Sequence, residues 1–147
     1  MTRINKGKPY PLGSSITSAG VNFSLIATNA EYVEILLFEE ECSISPKYIF
    51  KLDQKNNTGP YWHAEIKNIS EGCIYAFRIK QKNNGINNNY EKKVLIDPCS
   101  RGITGWGNYK RENALKTQEN TATCLKSVVC ERKKFNFKDY PRPKHPW

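Results

Sequence analysis

The sequence predicts an all-β domain built as an antiparallel β-sandwich, and three observations support this fold class. Short segments of alternating apolar and polar residues recur at roughly 8–12-residue spacing through the first hundred residues. Clusters of Asn, Gly, Asp and Pro, which favour turns, separate these segments. No segment before about residue 100 shows the apolar period of about 3.6 residues that marks an amphipathic helix.

Residues 1–19, with Pro9 and Pro11, predict an extended arm. The first strand begins at Gly20 and has the alternation of a half-buried strand. Its predicted inward face is Val21, Phe23, Leu25 and Ala27, and its outward face is Asn22, Ser24 and Thr28.

The second strand, 32–38, predicts an inward face of Val33, Ile35 and Leu37. Leu36 and Phe38 make its opposite face apolar as well. We expect this strand to be covered on both sides, as in a domain that has lost a neighbour.

Three more strands follow, at 48–52, 61–67 and 73–80. Polar or glycine-containing turns at 53–59, 70–72 and 83–85 punctuate them. The predicted inward residues are Trp62, Ala64, Ile66, Tyr75, Phe77 and Ile79, whereas Arg78 and Lys80 face outward.

Beyond Gly105 the alternation weakens. Residues 106–123 predict a long loop with one helical turn, 125–130 a last strand, and 140–147 a Pro-rich linker. The predicted organisation is therefore an arm at 1–19, a sandwich at 20–104, and a loop, short strand and linker at 105–147.

Composition restricts the function without identifying it. The chain has 23 Lys and Arg against 14 Asp and Glu, but the basic residues are scattered through most of the chain. The densest basic cluster, within 132–147, alternates with aromatics and could hold single-stranded nucleic acid. We favour a solvated segment there instead. Five cysteines without close pairing and only two histidines indicate reduced thiols, a cytoplasmic protein, and no metal or other cofactor. From the polar start and the lack of a long apolar run, we expect neither a signal peptide nor a membrane span.

No catalytic arrangement is visible in the sequence. Glu39–Glu41 are consecutive and expected in solvent, and Asp97 before Pro98 is expected to shape a turn. His63 is expected to be an outward-facing hydrogen bonder on its strand. Candidate sugar contacts by residue type are Trp106, between two glycines on a loop, and Tyr61.

The order of several segments resembles one family. Each segment is weak alone, but together they extend over nearly the whole chain. They are Pro11-Leu12-Gly13, Gly20–Leu25, Val33–Phe38, Gly59–His63, Gly72, Tyr75, Phe77-Arg78, Val94–Pro98, Arg101 and Ser127–Val129. This pattern is similar to the opening of isoamylase-type glycogen debranching enzymes of glycoside hydrolase family 13.

The resemblance implies an immunoglobulin-like β-sandwich, classed as carbohydrate-binding module family 48. In such enzymes it precedes a (β/α)₈ barrel that supplies the catalytic residues and hydrolyses α-1,6 branch points. A barrel needs roughly 250 residues, so we expect this chain to stop before it and to carry no catalytic residue. The motif positions implied to be structural are Gly20, Asn22, Phe23, Trp62, His63, Gly72, Tyr75, Arg78, Asp97 and Pro98.

One departure from related modules concerns sugar binding. The glycogen-binding module of the AMP-activated kinase β subunit places tryptophans after its second strand and before its Asp-Pro. This sequence has none at 39–41 or 90–96, so we expect that type of sugar site to be missing.

Three interpretations remain. The favoured one is a non-catalytic domain whose partner is the catalytic barrel of a debranching enzyme. The alternative is a free-standing module that binds glycogen or another α-glucan. The least favoured is a basic single-stranded nucleic-acid binder that uses residues 131–147.

Overall fold

The computed structural model describes residues 3–82 and 92–132, which form two antiparallel sheets packed face to face. A five-residue helix, α1 (Arg111–Leu115), lies in the loop before the last strand. The strands are β1 (Ile4–Asn5), β2 (Gly13–Ile16), β3 (Gly20–Ile26), β4 (Ala30–Phe38), β5 (Tyr48–Leu52), β6 (Asn57–Thr58), β7 (Tyr61–Lys67), β8 (Ile74–Gln81), β9 (Gly102–Thr104) and β10 (Lys126–Val128).

Each sheet has five strands. The first has the order β1-β7-β3-β2, with β6 paired to β7, and the second has the order β5-β4-β8-β10-β9. All of these pairs are antiparallel. The prediction of an all-β antiparallel sandwich is therefore confirmed, and so is the single helical turn predicted in the long loop.

The core lies between the two sheets and contains the inward residues that the alternation predicts. Phe23 on β3 meets Tyr75 on β8 edge to face, with ring centroids 4.8 Å apart. Trp62 is 5% exposed, and its indole N–H donates to the Ala27 carbonyl at 3.1 Å. Burying a side chain of this size stabilises the fold by about 1.5–3 kcal/mol.

The second sheet is also covered on its outward face, as Leu36 and Phe38 predict. The covering residues, however, belong to this chain: Val94 and Cys124 pack with them in a second buried cluster. Leu36 and Phe38 are therefore covered by this chain itself and are not evidence of a lost neighbour. Alternation shows that a face is covered, but it does not show which segment covers it.

The sheets also extend past the predicted limits of the sandwich, residues 20 and 104. The predicted arm contributes β1 and β2 to the first sheet, and β10 pairs with β8 in the second. Pro9 and Pro11 favoured an extended arm outside the sheets, but short strands that pair with the first sheet flank them.

The residues just before β1 and just after β10 bond to the end of β7 and to the connection that follows it. The Arg3 carbonyl accepts from the Lys67 N–H at 2.9 Å. The Glu131 N–H donates to the Glu71 carboxylate at 3.1 Å. The chain therefore enters and leaves the sandwich at one end.

Some predictions fall on residues outside the described ranges. These are the turn at 83–85, the Pro-rich linker at 140–147 and nearly all of the basic and aromatic cluster of 132–147. Among the described residues, no helix is long and apolar enough to cross a membrane.

Candidate functional site

Trp106 lies on a tight turn two residues after β9. Gly105 has φ +94°, and a Cβ there would lie 3.1 Å from the Cys124 carbonyl oxygen, so the turn requires glycine. The Tyr109 N–H donates to the Trp106 carbonyl at 3.4 Å. The Trp106 side chain is 65% exposed, which agrees with the exposure expected from its flanking glycines.

Tyr109 stands beside Trp106 and was not predicted as a site residue. The two ring centroids are 6.2 Å apart and the ring planes are 76° apart. Tyr109 also lines a cleft of about 510 Å³, enclosed by the end of β8, residues 93–96 and the segment from Tyr109 to Leu125. This volume lies within the range of small-ligand sites.

The cleft is mainly apolar, and two of its polar side chains are bound to the chain's own backbone. The Asn120 amide accepts from the Val94 N–H at 2.8 Å and donates to the Val94 carbonyl at 3.1 Å. The Lys93 ammonium donates to the Asn113 carbonyl. These bonds fix the outer segment against the second sheet, and they leave the cleft walls dominated by Ile79, Leu95 and Tyr109.

Tyr61 does not join Trp106. It is the first residue of β7 in the first sheet, half-buried opposite Ile26 and Thr58. Trp106 lies beyond an edge strand of the second sheet. The structure therefore does not bring the two candidate sugar contacts into one site, and each stays a separate prediction.

Asp97 is 3% exposed and forms the centre of a buried hydrogen-bond network. Its carboxylate accepts from the Tyr75 hydroxyl at 2.6 Å and from the Cys99 N–H at 2.8 Å. Its own N–H donates to the Ser127 hydroxyl at 2.9 Å. The network joins β8, the Asp97-Pro98 turn and β10, so the predicted structural role of this turn agrees with the geometry.

Burial sets the electrostatics of this network. It raises the pKa of Asp97, while the hydrogen bonds from Tyr75 and Cys99 oppose that rise. Burial also raises the pKa of Tyr75, and the nearby negative charge of Asp97 adds to this effect. Both groups are engaged with each other and are not free to transfer protons to a ligand.

His63 follows its prediction only in part. It lies on the outward side of β7, but it is 1% exposed because residues 6–10 cross over it. Its Nδ1 is 2.8 Å from the Lys6 carbonyl, which can only accept, so Nδ1 carries the hydrogen. Its Nε2 is 2.8 Å from the Thr58 hydroxyl. The outward face and the hydrogen bonds agree with the prediction, but the burial was not predicted, because the arm supplies a cover that no local pattern reveals.

Two further outward residues hold the same arm. Asn22 exchanges two hydrogen bonds with the backbone of Lys8, at 2.7 and 3.0 Å. The Ser24 hydroxyl donates to the Pro9 carbonyl at 2.6 Å. Together with His63 they form a polar clamp, which we define as Asn22, Ser24 and His63. The motif positions Asn22 and His63 therefore have a concrete role in fixing residues 6–10.

The other motif positions also act in the framework. A Cβ on Gly20 would lie 2.1 Å from the Ile66 carbonyl oxygen, so the close approach of β3 to β7 at this position requires glycine. Gly72 has φ +84° and donates its N–H to the Val129 carbonyl at 2.9 Å. Arg78 pairs with Glu34 at 3.2 Å on the outward face of the second sheet.

Metal-binding groupings are absent from residues 3–82 and 92–132. No three His, Cys, Asp or Glu side chains converge there as metal ligands would. Asp97 is the only buried acid in this part of the chain, so it contains no buried pair of carboxylates of the kind glycosidases use.

Comparison with known proteins decides the family. The profile of carbohydrate-binding module 48, described as the isoamylase N-terminal domain, matches residues 11–100. The chain belongs to this family. Asp97, Tyr75 and Cys99 lie within the match, whereas Ser127, Trp106, Tyr109 and most of the cleft's outer wall lie beyond it.

Full-length relatives extend the similarity. The glycogen debranching enzyme of Pectobacterium atrosepticum is 27% identical over an alignment that covers 100% of this chain and 22% of that enzyme. The glycogen debranching enzyme of Erwinia tasmaniensis is 31% identical, with the same coverage of 100% and 22%. The module thus spans about a fifth of the length of the curated relatives it matches.

A solved structure supports the fold. A pullulanase from Bacillus acidopullulyticus aligns with a TM-score of 0.56 at 17% identity, covering 82% of this chain and 12% of that chain. At this identity the likeness bears on the fold alone.

Proposed function

We propose that this module is the non-catalytic N-terminal domain of an isoamylase-type glycogen debranching enzyme, which hydrolyses α-1,6 branch points in the cytoplasm. The module's part is to pack against the catalytic barrel of the same enzyme. The observation that carries this proposal is the alignment of the whole chain with 22% of debranching enzymes from two bacteria.

The geometry supports a non-catalytic role. The buried acid Asp97 has both carboxylate oxygens engaged, and Glu34, less buried, is paired with Arg78. Burial raises the pKa of Cys73 to about 11, so its thiol is a poor nucleophile at neutral pH. All five cysteines are free thiols, which suits a reducing compartment.

The size of the native polypeptide tests this proposal. An immunoblot of source-cell lysate with antibody to the module should show a band near 77 kDa, which is 16.9 kDa divided by 0.22. The purified band should release linear chains from a branched limit dextrin. A single band at 16.9 kDa would contradict the proposal and identify a free-standing module.

A second candidate function is glucan binding, favoured by the exposure of Trp106 on its glycine-flanked turn. Aromatic faces stack on the apolar faces of sugars. Glycogen in a native gel should then retard the module, and Trp106→Ala should restore its mobility. Ile44→Ala is the matched control, because Ile44 is 74% exposed on another loop. Equal mobility with and without glycogen would eliminate this candidate.

A further inference from the structure

Exposed apolar side chains are concentrated in one stretch of the module. Five of the twelve large apolar residues that are exposed in the described chain lie between residues 95 and 115. They are Leu95, Ile103, Trp106, Tyr109 and Leu115. Single exposed apolar residues are ordinary, but a contiguous group marks an interaction surface. Leu95 and Tyr109 line one cleft, and the Trp106 ring stands 6.2 Å from the Tyr109 ring.

The cleft beneath Tyr109 is better suited to apolar protein side chains than to a sugar. A sugar site needs free polar groups to bond its hydroxyls. Here Asn120 and Lys93 already bond the chain's own backbone, and Gln81 is not free either. Besides Tyr109, the remaining walls include Ile79, Leu95 and Ala114. An aliphatic or aromatic side chain could fill this space without leaving polar groups unpaired.

Basic side chains outnumber acidic ones on and around α1, whose Ala114 lines the cleft. Lys110, Arg111 and Lys116 are exposed on and around α1, opposed locally by Glu112 and Glu119. A complementary surface would therefore present apolar side chains framed by carboxylates.

The position of this surface in the chain points to its occupant. The family match ends at residue 100, and the surface is formed mostly by the residues that follow it, directly before β10. The family is described as N-terminal in isoamylase, so the rest of such an enzyme would continue from the β10 side of the module. Contacts between domains of one chain typically bury about 600–1,500 Å². A docking face of that size would include the cleft residues as well as the Trp106 turn.

We infer that the surface formed by Leu95, Trp106, Tyr109, Ala114 and Leu115 is the docking face for the catalytic domain. The docked surface is an apolar projection of that domain, framed by acidic residues. This inference rests on the proposed function and adds the face and the chemistry of its partner.

Hydroxyl-radical footprinting tests the docking face without altering the protein. The 147-residue chain and the native polypeptide from source cells are oxidised side by side, and labelled peptides are quantified by mass spectrometry. Labelling of Trp106 and Tyr109 should fall several-fold in the native polypeptide, because an interface core excludes water. Tyr10, which is 77% exposed outside the docking face, should keep its labelling and is the internal control.

A matched pair of variants tests the cleft itself. Ala114→Arg places a charge at the cleft, and Ala19→Arg makes the same change at an exposed alanine in the turn before β3. In the full polypeptide, Ala114→Arg should restore labelling of Tyr109, whereas Ala19→Arg should leave it protected. Neither variant should change the melting temperature of the 147-residue chain, since both alanines are exposed.

The outcomes separate the inference from the proposed function. A native polypeptide near 77 kDa (16.9 kDa divided by 0.22) in which Trp106 and Tyr109 label as in the isolated module would overturn the docking face and leave the proposed function standing. A native polypeptide of 16.9 kDa would overturn both. If the isolated chain gains the same protection from maltoheptaose, the cleft binds glucan and the docking assignment is wrong.

Discussion

Removing the Tyr75 hydroxyl should destabilise the module measurably. Tyr75→Phe keeps the ring, which is fully buried against Phe23. It deletes the hydroxyl that donates to Asp97 and also interacts with Ser14 and Ser100. The Asp97 carboxylate, 3% exposed, then loses a hydrogen bond of 2.6 Å that solvent cannot replace. Hydrogen bonds to charged groups contribute about 1.5–3 kcal/mol, so we expect a loss of about 2 kcal/mol at neutral pH.

This loss should depend on pH in a defined direction. Burial raises the pKa of folded Asp97 above its ordinary 3.8. The stability that this group contributes is therefore fully present below the unfolded pKa and is lost as pH rises through the folded pKa. The Tyr75 hydroxyl favours the ionised form and limits that loss, so Tyr75→Phe raises the pKa of Asp97 further. At about pH 3 the carboxyl is neutral in both states, and only about 0.5–1.5 kcal/mol should be lost.

Urea denaturation at about pH 3 and pH 7 measures both values. The melting temperature at neutral pH should fall by about 4–8 °C for a chain of this size. Tyr48→Phe is the matched control, because Tyr48 is 45% exposed and its change should stay within about 0.5 kcal/mol. A double-mutant cycle with Asp97→Asn should give a coupling of about 0.5–3 kcal/mol. If Tyr75→Phe costs no more than Tyr48→Phe at either pH, the network does not stabilise the module as argued.

Three further changes test other parts of the structure. His63→Ala removes two hydrogen bonds of a buried ring and should cost about 2–4 kcal/mol, with faster proteolysis of the arm; an unchanged melting curve would contradict this. Gly20→Ala forces a Cβ against the Ile66 carbonyl oxygen 2.1 Å away and should lower the free energy of unfolding in urea by about 1–3 kcal/mol. The control Gly107→Ala, where a Cβ would meet nothing within 4 Å, should change it by no more than about 1 kcal/mol. Equal effects would refute the close approach at Gly20. The pKa of Cys73 is raised to about 11 by burial, so iodoacetamide at about pH 8 should alkylate exposed Cys42 much faster than Cys73. Peptide mass spectrometry measures both rates, and equal rates would show that Cys73 is not shielded as described.

The sequence was a good guide to the inside of the sandwich. Alternation in Val21–Leu25 and in Tyr75–Ile79 depends only on neighbouring positions, and the inward residues follow directly from it. Leu36 likewise revealed a second covered face. In each case a local period carries the information.

The cover over the outward faces could not be predicted in the same way. The polar clamp holds residues 6–10 largely through backbone carbonyls. Every residue has a backbone carbonyl, so the sequence does not show which ones accept these bonds. The cleft beside Tyr109 brings together residues up to 46 positions apart, from Ile79 to Leu125. Glycine flanks made Trp106 recognisable, but Tyr109 has no local signal and becomes a site residue only through the fold.

The entry and exit of the chain have a consequence for how such a module can be inherited. Arg3, directly before β1, bonds to Lys67 at the end of β7, and Glu131, three residues after β10, bonds to Glu71, only four positions further along the chain. A domain whose two ends lie close together can be inserted into or deleted from a longer polypeptide, since its removal leaves only a short gap to close. Recombination could therefore move this unit among enzymes while the strands within it stay intact.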